Sequence, residues 1–387
     1  MEFISGLNAC ASNPVFPQLS SSIMPHFPEA ASLAMKMPSP AFHTKTPTPS
    51  LPPPTRPNGS LVDFSKYTSP DPLERAECRR QLLRCLTDDG FARVINCGIS
   101  NDMVDEIFRR SEEFFRLDPK SKLAIANPRG PTPQRGYSHV GAENSSSLYG
   151  KLVGDTSNAH RSDAREHFDQ GSEADADFPN RWPAEAELPG FRQFMQDYYK
   201  ASEQVCMQLF KALEEALNLQ PGTFCSQVGD ASELRLLHYP KISLQEIRSG
   251  KVSRIWPHFD LGLLTMLWAR GATGLEFERR RRNASDDAFV PVSPQAPCEL
   301  ILSTCETFQR WTNDTIPAAL HQVTIPRHLR DAEEGFLDER YSVAFFCKAD
   351  RNALVGSLEP FVDPVEGPRY PPVTALEYHQ NRLKDAY

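Results

Sequence analysis

A mixed α+β fold, a sheet-rich barrel or sandwich flanked by helices, is what the sequence predicts. Three observations carry it. Long amphipathic stretches are confined to the first half of the chain. From Glu233 onward, short apolar runs bounded by turns dominate. A chain of 387 residues, 40% of them hydrophobic, is long enough to bury one large core.

The elements follow in chain order. Residues 1–58 are rich in Pro and Ser and end in Thr46-Pro-Thr-Pro-Ser-Leu-Pro-Pro-Pro-Thr-Arg-Pro57. Such a segment buries too little apolar surface to offset its ordering entropy, so a disordered extension is expected. Leu61-Val-Asp-Phe64 reads as a short strand. Asp71 to Asp89 reads as a helix with Pro72 near its start and Leu73, Ala76, Leu82, Leu83 and Leu86 on one face. Gly90 to Asn96 alternates as a strand does. A second helix runs from a Ser100 cap to Phe115, apolar at Met103, Val104, Ile107 and Phe108. Residues 127–187 read as an irregular, polar, substrate-facing region. A long helix from about Gly190 to Asn218 places Phe191, Phe194, Tyr198, Val205, Leu209 and Leu213 close to a 3.6 period. Strands are then expected at Leu234–Tyr239, Leu261–Trp268, Leu275–Phe277, Phe289–Val292, Leu300–Ser303, Leu320–Ile325 and Tyr341–Cys347. A helix at Val373 to Asp385 closes one side. The chain divides accordingly into an extension (1–58), an N-terminal helical and substrate-facing region (59–232) and a strand-rich core with a C-terminal helix (233–387).

Composition excludes several function classes. A net charge of −8 argues against a general nucleic-acid partner. The Arg279-Arg-Arg-Arg282 run sits between Glu276, Glu278 and the acidic turn Asn283-Ala-Ser-Asp-Asp287, and reads as an exposed hairpin tip with paired charges. Nine scattered Cys form no C-x-x-C pair, which suits reduced thiols in the cytoplasm. No stretch approaches 18 consecutive apolar residues, and Met1-Glu-Phe-Ile4 lacks the basic start of a signal peptide, so neither a membrane span nor secretion is expected.

The chemistry is carried by His258-Phe-Asp260, His321 and Arg340-Tyr-Ser342. Two imidazoles and one carboxylate on one face of an octahedral ion leave the opposite face open, the arrangement favoured by non-haem Fe(II) oxygenases. A guanidinium nearby offers a bidentate seat for a second carboxylate. If His258 and Asp260 lie on one strand, residues i and i+2 point the same way and grip one ion together. His167-Phe-Asp169 repeats the triplet in polar surroundings, with no apolar run after it, and reads as a solvated loop or strand-edge histidine.

From Asp88-Asp-Gly-Phe91 and Arg135-Gly-Tyr137 through Leu234-Arg-Leu-Leu-His-Tyr-Pro240, Pro257-His-Phe-Asp-Leu-Gly-Leu-Leu-Thr265 and Gly274-Leu-Glu276 to Phe308-Gln-Arg-Trp-Thr-Asn313, His321-Gln-Val323 and Arg340-Tyr-Ser-Val-Ala-Phe-Phe346, residues 60–387 resemble the isopenicillin N synthase-like Fe(II)/2-oxoglutarate-dependent dioxygenases. The resemblance implies a double-stranded β-helix, or jelly roll, with a metal at one open end. It implies His258, Asp260 and His321 as iron ligands, Arg340 and Ser342 as the clamp on the distal carboxylate of 2-oxoglutarate, and Tyr239 as a further contact to it. Many plant relatives carry Asn where this chain has Leu237, which leaves fewer donors around the co-substrate. Fe(II), 2-oxoglutarate and O2 are the implied cofactors, with ascorbate as an optional addition. The implied reaction oxidises a C–H bond of a small specialised metabolite and releases succinate and CO2. Tyr137, Phe168, Phe259, Leu275 and Phe346 are candidates for an apolar, aromatic substrate side. A monomer acting on a small molecule is expected, with no nucleic-acid or membrane partner. Two other readings stay open at this point. One is a 2-oxoglutarate-independent iron oxidase of the same fold, since such relatives also keep an Arg-x-Ser. The other is a non-catalytic ligand-binding protein.

Overall fold

The computed structural model describes residues 61–128, 130–153, 161–270, 274–280, 287–296 and 298–384. The Pro/Ser-rich stretch 1–58 lies outside the described residues, as do Arg281, Arg282 and Asp385. The first part of the fold comprises β1 (Leu61–Asp63), α1 (Pro72–Asp88), β2 (Phe91–Ile95), α2 (Asn101–Phe115), α3 (Pro119–Ala124), β3 (Gly136–Ser138), α4 (Ser145–Val153), β4 (Ser162–Asp163), β5 (Glu166–Gly171) and α5 (Phe191–Ala216). The second comprises β6 (Glu233–Tyr239), β7 (Ile242–Ser243), α6 (Leu244–Arg248), β8 (Val252–Ser253), β9 (Ile255–His258), β10 (Leu264–Arg270), β11 (Leu275–Glu278), β12 (Phe289–Pro291), β13 (Leu300–Thr304), α7 (Glu306–Trp311), β14 (His321–Val323), β15 (Phe336–Leu337), β16 (Arg340–Cys347) and α8 (Ala375–Leu383). Among the described residues, no helix is long and apolar enough to cross a membrane.

An eight-stranded sheet, ordered β1-β2-β13-β10-β16-β6-β5-β3, faces a four-stranded sheet ordered β12-β11-β14-β9. This is the double-stranded β-helix. Strand alternation decides what each face does. On β16, Val343 and Phe345 turn outward into the large core that α1, α2 and α5 cover, which they share with Leu82, Ile107 and Leu209. Ala344 turns inward, with Leu237 and Tyr239 of β6, toward Ile255, Leu275 and Val323 of the smaller sheet. Phe91 and Phe277 stack between the sheets with ring centroids 4.4 Å apart. The space between the sheets is the cavity that holds the candidate site.

Local chemistry sets the element ends. The Asp71 side chain accepts from Leu73 N at the start of α1, and the Ser100 hydroxyl accepts from Met103 N at the start of α2. Gly90 turns the chain from α1 into β2 at φ +83°, a conformation that glycine adopts without strain. Arg280 departs from the expected exposed hairpin tip. Its guanidinium donates to the carbonyls of Leu86 (3.0 Å), Thr87 (3.1 Å) and Ala318 (2.8 Å). A cation at the C-terminus of α1 satisfies carbonyls that the helix leaves unpaired, so one arginine of the run is structural.

The expected irregular region 127–187 also needs correction. It contains α4, and β5 pairs with β6 inside the large sheet, matching Asp169 to Arg235 and His167 to Leu237. β5 reads Glu-His-Phe-Asp-Gln-Gly, every residue of it buried. Its polar side chains meet polar partners rather than water, so hydrophobic periodicity does not reveal it.

Candidate active site

Two strand ends and a turn converge on His258, Asp260 and His321. The β9–β14 register pairs His258 directly with His321, setting the imidazole centroids 4.3 Å apart. β9 ends at His258, so Asp260 lies in the turn before β10 and not on the same strand face as expected. The turn still brings Asp260 Oδ1 to 3.6 Å from His258 Nε2 and Oδ2 to 3.9 Å from His321 Nε2. One ligand atom from each of the three residues lies within 4.8 Å of the others.

Hydrogen bonds fix which ring nitrogen faces inward. His258 Nδ1 lies 2.9 Å from Trp256 O, and His321 Nδ1 lies 3.1 Å from Ala319 O. A carbonyl only accepts, so each Nδ1 carries the proton and each Nε2 presents a lone pair to the centre. Thr265 Oγ1 donates to Asp260 Oδ2 at 2.7 Å, and the Glu306 amide holds the Asp260 carbonyl at 2.9 Å. Burial opposes charge on Asp260, but the two imidazoles and Thr265 outweigh it and keep the carboxyl well below the usual carboxylate range. Burial pushes His321 down to about 4, and His258 adds to that effect. Burial also acts downward on His258, where the contact to Asp260 outweighs it and raises the imidazole. An anionic carboxylate beside a neutral His321 imidazole suits a divalent ion.

Arg340 and Ser342 lie farther along the inward face of β16. Arg340 pairs in register with Tyr239, and its guanidinium carbon sits 4.6 Å from the Tyr239 ring centre. Arg340 Nη1 donates to Ser342 Oγ at 3.2 Å. Its Nε and Nη2 are buried and have no partner among the described residues. Arg254 is buried beside it, and burial together with the Arg340 cation lowers its proton affinity to about 10. A fork with two unused donors in a doubly cationic recess fits a carboxylate. Arg254 was not singled out in the sequence, where nothing separates it from a surface arginine.

An open cavity of about 110 Å³ joins the triad to this recess. Phe259, Leu275 and Phe346 line it; Tyr137 and Phe168 do not. Tyr137 turns its hydroxyl to Glu166, and Phe168 packs into the helical core against Phe114 and Phe191. Phe168 alternates with His167 and Asp169, so it faces the opposite side of the sheet. Leu275 lines the cavity from the smaller sheet and packs in the same inter-sheet core as Tyr239 and Val323. The wall near Phe346 is not the apolar surface expected. Gln134, Glu143, Arg165 and Arg235 line it, and the guanidinium carbon of Arg235 lies 5.4 Å from the Phe346 ring centre. His167 is fully buried behind this wall, 3.3 Å from Arg165 Nη1 and 3.2 Å from Gln134 Oε1, and not in solvent.

Comparison with known proteins accords with this geometry. Residues 60–185 match the family described as non-haem dioxygenase in morphine synthesis N-terminal, and residues 231–349 match the 2OG-Fe(II) oxygenase superfamily. The chain is 44% identical over 338 residues to the 2-oxoglutarate-dependent dioxygenase phqC of Penicillium fellutanum, spanning 84% of this chain and 94% of that one. The chain belongs to the 2OG-Fe(II) oxygenases. The 2-oxoglutarate-dependent dioxygenase ucsF of an Acremonium species is 46% identical over 335 residues, covering 84% of this oxygenase and 99% of its relative. Among solved structures, a full-length Neurospora crassa protein in complex with alpha-KG superposes with a TM-score of 0.72 at 25% identity, over 84% of this chain and 95% of that one. The complex of that Neurospora crassa protein with alpha-KG and thymine gives 0.71 at 26% identity, with the same coverage. The oxygenase therefore uses Fe(II), 2-oxoglutarate and O2. When bound, the iron supplies oxidative decarboxylation of 2-oxoglutarate to succinate and CO2, coupled to oxidation of a substrate C–H bond.

Proposed function

We propose that His258, Asp260 and His321 hold the iron, and that Arg340 and Ser342 hold the distal carboxylate of 2-oxoglutarate beside Tyr239. The observation that carries this reading is the donor arrangement: two Nε2 lone pairs and one carboxylate converge, with the unused fork of Arg340 in the same cavity. The chain's own residues then have separable tasks. Trp256 O and Ala319 O orient the imidazoles, Thr265 steadies the carboxylate, and Tyr239 packs against the flat face of the Arg340 guanidinium. Holding 2-oxoglutarate at its far end leaves its 2-oxo acid end free to reach the triad, which converts a two-body encounter into one positioned complex.

The substrate in this reading is a small specialised metabolite that reaches the triad through the same cavity. A cytoplasmic monomer without nucleic-acid partners remains part of the reading, as does the division into a 1–58 extension, a 59–232 substrate-facing region and a 233–387 oxygenase core. Iron stoichiometry tests the metal assignment. His258→Ala, Asp260→Ala and His321→Ala are each expected to lose bound iron while keeping the wild-type circular dichroism spectrum. Full iron occupancy in any one of them removes that residue from the set.

A further inference from the structure

The polar wall of the cavity carries charge arranged in two groups, and neither belongs to the triad or the Arg340 recess. In the first group, the Glu143 carboxylate bridges Arg165 and Arg235, at 3.2 Å from Arg235 Nη1. Asp163 lies 3.4 Å from Arg165, and Asp169 lies 2.7 Å from Arg235. Of these five residues, Glu143, Arg165 and Arg235 line the cavity, so among the described residues the Glu143 carboxylate is the anionic group that this side presents. In the second group, Glu233 pairs with Lys348 and, at 3.0 Å, with Arg135. Asp175 pairs with Arg135 at 2.8 Å and also with Arg351. Of these, Glu233 and Lys348 line the cavity, so among the described residues Lys348 is the cation that this side presents.

The two groups meet the cavity side by side. Glu233 and Arg235 are two residues apart on β6, both on its inward face, so their backbones are about 7 Å apart. Glu143, Arg165, Arg235, Glu233, Lys348 and His379 all line the same space as the triad. Arg165 is 4% exposed, and its Nε has no hydrogen-bond partner among the described residues. His379 comes from α8, and its Nε2 lies 3.4 Å from Lys348 Nζ. A ligand with a single charge would answer either the carboxylates or the cations of this wall and leave the others facing it away from water, which is costly. A ligand carrying both charges on neighbouring atoms matches both groups.

Resting on the 2-oxoglutarate reading of the site, we propose that this wall is the substrate subsite and that it takes a small zwitterion of the α-amino-acid type. Its ammonium group turns toward Glu143 and its carboxylate toward Lys348. The C–H bonds of its side chain then extend past Phe259 and Phe346 toward the triad.

Calorimetric titration of the full-length Fe(II) protein, saturated with 2-oxoglutarate under anaerobic conditions, tests this with the common L-α-amino acids and their N-acetyl and methyl-ester derivatives. At least one free amino acid is expected to bind and, in air, to stimulate succinate release. Its N-acetyl and ester forms are expected to bind at least tenfold more weakly, and Glu143→Gln is expected to weaken the free form by a similar factor. The derivative series on the wild-type protein decides the matter even where Glu143→Gln fails to fold. Binding of the derivatives as tightly as the free amino acid overturns the proposal. So does stimulation of succinate release by a metabolite extract when no amino acid binds, an outcome that leaves the 2-oxoglutarate reading intact. Failure of the wild type to bind 2-oxoglutarate at all overturns both.

Discussion

Arg340 has five donor hydrogens in a fixed fork, and only its contact to Ser342 uses any of them among the described residues. Hydrogen bonds to a charged group are worth about 1.5–3 kcal/mol each, so Arg340→Ala is expected to weaken 2-oxoglutarate by about 10- to 150-fold or more. Arg340→Lys keeps the charge but not the planar fork and should fall between wild type and Ala. Ser342→Ala removes a single hydroxyl and should cost least. The KM for 2-oxoglutarate of the three variants gives the order. His167 supplies the matching control, because it repeats the His-x-Asp triplet on a strand that does not reach the triad. His167→Ala is expected to keep full iron occupancy while lowering stability by about 1–3 kcal/mol, since it removes one contact each from Gln134 and Arg165 in a buried network. Urea unfolding and iron analysis on the same sample check both halves. The triad, Arg340 and Ser342 were legible because the chemistry demands those residue types at nearly fixed places in a jelly roll. The polar wall was not, because Glu143, Arg165 and Arg235 are far apart in the chain and come together only in the folded structure, Arg165 just ahead of the strand β5 that pairs with β6.

At the scale of elements, α8 carries His379 and Leu383 to the cavity, and Glu306 fastens it there. The Glu306 carboxylate accepts from Arg382 at 2.7 and 2.9 Å and from Tyr378 Oη at 2.7 Å, while its amide holds Asp260 O. Arg382 also donates to Leu148 O at 3.2 Å, tying α8 to α4. Breaking a buried ion pair from one side costs about 3–5 kcal/mol, and a helix near a chain end can release that cost by opening locally. Arg382→Ala is therefore expected to speed amide exchange across Ala375–Leu383 and to raise the KM for the organic substrate, with iron binding unchanged. Unaltered exchange in α8 would show that the latch does not hold the helix. The sequence marked α8, α1, α2 and α5 well, because their apolar faces obey the helical period against one continuous core. It hid β5, whose inward and outward faces are both buried and whose charges are paired. It also placed Asp260 on a strand where the chain turns, since the apolar run from Leu261 gives no sign that pairing in β10 starts only at Leu264.

For the whole molecule, the two sheets divide the labour: the smaller one brings both imidazoles, and the larger one brings the co-substrate recess and one charged wall. Relative ucsF matches 84% of this chain with 99% of its own length. That leaves about a sixth of this chain without a counterpart there. Removing residues 1–58, which precede the family segment that begins at residue 60, is expected to leave the melting temperature and the KM for 2-oxoglutarate unchanged, and a marked fall in the first or rise in the second would give the segment a part in the oxygenase fold. The account as a whole stands on one spatial claim, that the iron and 2-oxoglutarate share the cavity between these sheets. Anomalous diffraction at the iron edge, from crystals grown anaerobically with Fe(II) and 2-oxoglutarate, measures it directly. The expected map has one iron peak bounded by His258 Nε2, His321 Nε2 and the Asp260 carboxylate, with 2-oxoglutarate density running from it to the Arg340 fork. An iron peak elsewhere, or a co-substrate whose distal carboxylate lies away from Arg340, would contradict it.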